Sequence, residues 1–469
     1  MVNRTSEPGV TIRHSPFAIY FLRTMRILSA SLAFLLAAAP AAPIYAADLI
    51  DIYKEARVSD AVYASARAAW TAAQEKLPQG QAGLLPQVTA SAFTQYNDRE
   101  IRFRSPGVPP ALGQFNSNAV TLSLSQPLYR PQNRAVYEQA KTQLALADAQ
   151  LALAGQDLML RVAQAYFDVL QAQDNVAFAG AQKAAIAEQL AQAKRNFEVG
   201  TATITDQHDA QARFDLTVSQ EIAALNDLEI KKRTLEQLIG KPAPALARLG
   251  NRYVLSQPAP NDMGQWVSDA QQSNLQVQAG QAGLTLAGQE VTRNRSGHLP
   301  TLDAVASYSE SSSGSGLQGG AGTDITTKVI GLQLALPLYQ GGLVDSRIRE
   351  ALANEDKARQ DLENARRSAA LATRQAFLGV VNGVAQVKAL QAALVSSQSS
   401  LDSTRLGQEV GVRTQVDVLN AQQQLFSTRR DLAQATYAYV LSLLKLKAAV
   451  GRLGEDDLAQ VNAWLEVKR

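Results

Sequence analysis

The chain contains no cysteine. Disulfides, thiolate metal sites and cysteine nucleophiles are therefore excluded, as is a lipid-modified cysteine at a mature N-terminus. Histidine is almost as scarce. His14, His208 and His298 are the three imidazoles, and a His208–Asp209 pair is ordinary on a solvated helix face. No glycine-rich phosphate loop, nucleophile elbow or zinc spacing occurs. The expectation is no enzyme, no metal and no cofactor. Aromatic residues make up only 6%, while Ala and Gln abound. Small apolar side chains suit long helices better than a thick core, because Ala loses least on becoming helical.

Long apolar runs are also lacking, except near the start. "MRILSASLAFLLAAAPAAPIYAAD" from Met25 has a basic start, an apolar run and small residues. It reads as a secretory leader cleaved after about Ala46. Residues 1–46 are thus expected to be a signal peptide, with 1–24 an upstream extension if Met25 is the true start. The run is short for a transmembrane helix, and none is expected later. Residues 1–46 hold four Arg and one Glu, so 45 basic and 42 acidic residues become 41 of each. A balanced charge gives no support for nucleic-acid binding.

What is present is a repeat. "VGTATITDQHDAQARFDL" from Val199 returns at Val410 as "VGVRTQVDVLNAQQQLFS". "GLLPQVTASAFTQY" from Gly83 matches "GHLPTLDAVASY" from Gly297. "LSLSQPLYR" from Leu122 matches "LQLALPLYQ" from Leu332, and "QAYFDVL" from Gln164 matches "QAFLGVV" from Gln375. All recur at offsets of 210 to 214 residues. Such a period is a duplicated domain, not a solenoid. Copy one spans 47–240 and copy two 262–451, joined by a Pro- and Ala-rich linker, 241–261, and followed by a tail, 452–469.

Each copy reads as helix, strand, loop, strand, very long helix, tight turn, helix. The first helices are expected over roughly 48–77 and 262–293, the strands over about 86–128 and 300–338. Val120, Leu122 and Leu124 alternate with Thr121, Ser123 and Ser125; Ile330, Leu332, Leu334 and Leu336 alternate with Val329, Gly331, Gln333 and Ala335. Period two with one apolar face marks strands, of about ten residues, long enough to cross a bilayer at a tilt. Segments 97–118 and 309–325, including "SESSSGSGLQGGAGTD", read as exposed loops. Two hairpins cannot close a barrel, for which about eight strands are the usual minimum. If these strands span a membrane, several chains must share one barrel, because lipid allows no open sheet edge. Residues 133–197 and 343–408 contain no Pro. A helix of that length runs roughly 100 Å and must pack lengthwise on neighbours, in α-hairpins over about 133–240 and 343–450.

The ordered set of "GLLP"/"GHLP", "QPLY"/"LPLY" and the two "VG" turns resembles TolC-like outer-membrane efflux proteins, from about Leu49 to Leu453. The resemblance implies an α+β membrane protein built on a duplicated helix–hairpin–long helix–helix unit. It implies a homotrimer whose three four-stranded sheets make one 12-stranded β-barrel in the outer membrane, continued by a long α-barrel through the periplasm. Segments 241–261 and 452–469 would form a belt around its middle. The implied function is a passive channel for drug efflux or type I protein secretion. Its partners would be outer-membrane lipid, a periplasmic adaptor (membrane fusion) protein and an inner-membrane pump or ABC exporter. A secreted or periplasmic coiled-coil scaffold is the alternative.

Each "VG" is then a helix-to-helix turn at the far periplasmic end, where Gly tolerates a left-handed backbone. The resemblance implies that the tips, Val199, Gly200, Thr201 and Val410, Gly411, Val412, meet the adaptor. It also implies a gate. Thr205 and Asp206 match the polar pair of the first hairpin, Arg413 the arginine of the second, and Asp417 an acidic ring at the entrance. Gln408 stands where the family pattern has Tyr, and Asn420 where it has a second acidic ring, so a looser and less negative mouth is expected. The repeated Thr and Asp of the turns are taken to mark an interface.

Overall fold

The computed structural model describes residues 46–250, 253–315 and 321–466. The expected leader, up to Tyr45, lies outside the described residues, as do Gly316–Gly320 of the second loop, Asn251 and Arg252 of the linker, and the last three residues. Copy one contains α1 (Leu49–Ser59), α2 (Ala61–Gln74), α3 (Lys76–Ala82), β1 (Gln87–Ile101), β2 (Ala111–Tyr129), α4 (Pro131–Glu198) and α5 (Ile204–Ile239). The short strand β3 (Arg248–Leu249) precedes copy two, made of α6 (Met263–Ser273), α7 (Leu275–Arg295), β4 (Thr301–Ser313), β5 (Thr323–Ala335), α8 (Leu343–Glu409) and α9 (Gln415–Ala449). α10 (Glu455–Asn462) and β6 (Leu465–Glu466) end the described chain.

The opening helix of each copy is not continuous, contrary to the periodicity. Asp60 breaks the first with an extended backbone, its carboxylate accepting from Tyr63 N at 2.7 Å. Asn274 breaks the second, its Oδ1 accepting from Gln276 N at 2.8 Å. In both, a short polar side chain caps a new helix in place of the backbone ladder. Asp60 is buried and also held by both terminal nitrogens of Arg161 on α4, at 2.9 and 3.1 Å.

The four long strands form one antiparallel sheet in the order β1-β2-β4-β5. They extend further than composition indicated. Pairing runs to Ile101↔Ala111 and Ser313↔Thr323, so only 102–110 and 314–322 connect the hairpins. The Ser- and Asn-rich stretches read as loops are largely strand ends, whose polar side chains bond across the ladder, as Asn97 Nδ2 does to Ser117 Oγ at 2.7 Å. The register places Val88, Leu124, Ala306 and Ile330 across one face, with Leu122, Leu332 and Leu334 beside them. That apolar face is bare: Ile330 is 91% exposed and Leu332 and Leu334 are each 69% exposed. The opposite face carries Ser and Thr, with Thr121 and Ser309 bonded at 3.0 Å. β1 and β5 keep their outer edges unpaired.

The two copies leave the sheet differently. β2 runs on to Tyr129 with a bulge between Pro127 and Tyr129, and α4 starts at once with Pro131, whose missing N–H costs nothing there. Arg130 forks onto the buried Asp303 of β4 at 2.8 and 2.6 Å. β5 stops at Ala335, and Gly341 and Gly342, both at positive φ, make the turn into α8.

α4 and α8 have 68 and 67 residues, each roughly 100 Å long. The main core lies at their mid-length, where Leu158, Tyr166, Phe167 and Leu170 meet Phe377, Val380, Tyr437, Tyr439 and Leu444. Leu49 and Ile52 of α1, Trp266 of α6 and Leu458 of α10 close over it. β3 and β6 pair here, joining the linker to the C-terminal segment. Elsewhere the described helices share only small clusters, such as Leu190, Ala193 and Ala210. One stretch of α8 is apolar and long enough to cross a bilayer, contrary to the sequence reading. Phe377, Val380, Val384 and Val387 of α8 are buried in the main core, while only 17% of that apolar stretch is buried in the protomer.

The Asp60–Arg161 fork makes stability depend on acid. Arg161 holds the Asp60 carboxyl below its usual value. A depressed folded value means this stabilisation is present above the unfolded carboxylate pKa, near 3.9, and is lost as pH falls through the folded value. Unfolding of Asp60→Asn should therefore be less pH-dependent below about pH 4 than that of the parent, and weaker at neutral pH.

Candidate functional site at the hairpin tips

The long hairpins α4–α5 and α8–α9 end in two turns with the same hydrogen bonds. Val199 N donates to Arg195 O at 3.1 Å, Gly200 N to Phe197 O at 3.0 Å and Thr201 N to Asn196 O at 2.8 Å. In the second, Val410 N donates to Leu406 O at 3.2 Å, Gly411 N to Gln408 O at 3.0 Å and Val412 N to Gly407 O at 2.8 Å. Gly200 and Gly411 lie at φ +76° and +79°, a conformation that costs a Cβ-bearing residue energy. Val199, Val410 and Val412 are 73%, 66% and 77% exposed, so each tip presents apolar surface to its surroundings.

The repeated Thr and Asp have a local cause. Thr203 caps α5: its Oγ1 accepts from Asp206 N at 3.2 Å, and Asp206 Oδ2 accepts from Thr203 N at 2.9 Å. Thr414 and Asp417 repeat this on α9, at 3.2 and 2.9 Å. These are reciprocal capping boxes, which satisfy amides that a helix start leaves orphaned. The capping demand accounts for the repeat without an interface. The spacing T-x-x-D was there to be read, and it assigns the cap to Thr203 rather than to Thr205. Thr205 is exposed in the first turn of α5. The Asp417 carboxyl is held below its usual range, first by the Thr414 backbone amide, then by its hydroxyl, with a smaller contribution from Arg413.

Asp206 and Arg413 line one cavity of about 480 Å³ between the two tips, with Gln189, Gln408 and Gln415. Among the described residues no ion pair joins Arg413 to Asp206. Its stem lies against Gly407, where a Cβ would sit 2.8 Å from Arg413 Cγ. The hairpins are instead tied by bonds in which no carboxylate takes part. Gln408 donates to Gln415, and Gln415 to Gln189 on α4. Arg213 of α5 reaches across to Asn420 Oδ1 at 2.8 Å and Gln423 Oε1 at 3.2 Å on α9. Asp209 stands four residues before Arg213, the usual spacing for a helical ion pair, yet the guanidinium spans the hairpins. Of the two departures from the family pattern, Asn420 accepts a cross-hairpin bond, while Gln408 bonds within its own hairpin to Gln415, which carries the bond across to Gln189. No local pattern pairs residues some 200 positions apart.

Thr203→Ala should cost the first turn of α5 about 1 kcal/mol. Its amides should then exchange roughly fivefold faster, with the mid-length core unchanged. Arg213→Ala and Asn420→Ala should each speed exchange at both tips, and the double variant should show less than the sum.

Comparison with known proteins agrees with this fold. Residues 52–241 and 266–452 match the family model described as outer membrane efflux protein. The chain is 35% identical over 428 residues to outer membrane protein TolC of Vibrio cholerae, covering 91% of this chain and 95% of that protein. It is 31% identical over 422 residues to the proteases secretion protein PrtF of Dickeya chrysanthemi, covering 89% and 91%. In fold it is similar to the solved Campylobacter jejuni CmeC outer membrane channel, with a TM-score of 0.75 at 18% identity over 89% of this chain and 90% of that one.

Proposed function

The chain belongs to the outer membrane efflux protein family, and on that premise we propose that three copies join edge to edge to form its working unit. It is an outer-membrane channel for efflux and type I secretion. The observation that carries the trimer is the sheet. Four strands with an apolar outer face and two unpaired edges suit lipid only if the edges are closed by other copies. Strand order alternates in direction from β1 to β5, so β5 of one copy pairs antiparallel with β1 of the next. Three sheets make twelve strands, with the Ser- and Thr-rich face toward a wet lumen. A soluble coiled-coil scaffold leaves both the bare apolar face and the open edges without a role.

The helices continue the barrel into the periplasm, and the channel is passive. An inner-membrane pump or ABC exporter supplies energy, joined through a periplasmic adaptor that docks on the tips. The exposed Val199, Val410 and Val412, held out by the rigid turns at Gly200 and Gly411 with Thr201 beside them, suit an apolar contact. Among the described residues Arg413 forms no ion pair, and beyond its influence on Asp417 it is available to a carboxylate on a neighbour. In this reading Arg413, with Asp206 and Thr205 opposite, narrows the mouth, and three copies of Asp417 make an acidic ring just inside.

Mass measurement of the detergent-solubilised assembly should give a trimer; a monomer retaining the sheet would exclude the shared barrel. In planar bilayers, Arg413→Ser should raise single-channel conductance several-fold without loss of assembly. Asp417→Ala should weaken cation selectivity by removing three charges at a constriction. Unchanged conductance and selectivity in both would remove the gate while leaving the channel fold intact.

A further inference from the structure

A cavity of about 850 Å³ opens where β2 passes into α4. Leu84, Leu128 and Tyr129 give it an apolar wall, and Arg134, Tyr137 and Gln289 its polar groups. The bulge after Pro127 pairs Tyr129 with Leu302, which in turn pairs with Leu334. Tyr129 therefore continues the bare apolar face at its helix-side end. Three polar features converge here. The Arg134 guanidinium forms no ion pair or hydrogen bond among the described residues. α4 starts one turn before it with no side-chain cap, the amides of Asn133 and Arg134 donating to Arg130 O. Gln289 Oε1 is buried without a partner. The acid beside them, Glu138, is already paired with Lys141 at 3.0 Å.

We infer that this cavity is a binding site for one phospholipid of the inner leaflet, an anionic glycerophospholipid. Its phosphate sits on the Arg134 guanidinium, and an acyl chain lies along Leu84, Leu128 and the Tyr129 ring. A cation beside a tyrosine at the edge of an apolar face is the chemistry of a lipid headgroup, and an unpaired guanidinium is that of a phosphate. The site sits at the centre of the sheet, on β2, and neighbours in the proposed barrel attach at β1 and β5. It therefore stays open to lipid in the assembly. The inference rests on the membrane-barrel reading above.

Native mass spectrometry of the detergent-purified full-length assembly, titrated with phosphatidylglycerol, tests it. The parent trimer should retain up to one lipid per protomer. Arg134→Gln should weaken retention about tenfold with the trimer intact, and Leu128→Trp, which fills the apolar end, should do likewise. Inorganic phosphate should not compete at equal concentration, since it lacks the chain. A trimer that holds phosphatidylglycerol equally in parent and both variants, or not at all, overturns the site alone. A monomer overturns the barrel and the site together. The chain has no native cysteine, so Leu128→Cys can be probed cleanly in phosphatidylglycerol nanodiscs. Crosslinking of this position to a second protomer would show that a copy of the chain, not lipid, covers the cavity.

Discussion

A backbone amide or carbonyl in hydrocarbon has no water to bond with, and each one left unpaired costs several kcal/mol. Everything at the sheet end of this molecule follows from that. The sheet is inverted relative to a soluble one. Its apolar residues, Ile330, Leu332 and Leu334 among them, face outward, and its serines and threonines face one another across the strands. Such a surface is stable in lipid and a liability in water. The unpaired edges of β1 and β5 would be a second liability, and edge-to-edge closure removes it. In the proposed trimer the protomer is a third of a structure, and its surface makes sense there.

The helices obey the same logic with a different interaction. α4 and α8 are far too long for one core to hold. Large side chains gather at mid-length, where Tyr166, Phe167, Tyr437 and Tyr439 pack beneath α1, α6 and α10. Away from that level the contacts are small, through Ala193, Ala210 and similar residues, so helices approach closely and share little buried area. A segment held weakly by its own chain has a low local stability, and that is the end at which a mouth can move.

At the tips the interactions are local or have neutral acceptors. The capping boxes keep each helix start well defined, while Gln189, Gln408 and Gln415 and the Arg213 fork bind one hairpin to the other with few compensated charges. Bonds between neutral groups respond little to ionic strength. Arg413 lies outside these bonds.

The sequence by itself determined the duplication, the long helices, the strands with one apolar face and the glycine turns. These depend on residues near one another, through a period of two, a lack of Pro and a tolerance of positive φ. It also held the capping boxes, whose T-x-x-D spacing reads as an interface until the helix start is seen to need them. The breaks at Asp60 and Asn274 hid inside a helical pattern, because a polar side chain mid-pattern reads equally as a solvated position. Strand ends such as Asn97 and Ser117 looked like loops because composition records polarity and not pairing. Only the tertiary structure decided which face of the sheet is bare, that Asp206 and Arg413 share a cavity without pairing, and that Arg213 meets Asn420. The physical reason is the same in each case: these contacts join residues about 200 positions apart, and no local pattern of residues records which of two distant surfaces will meet.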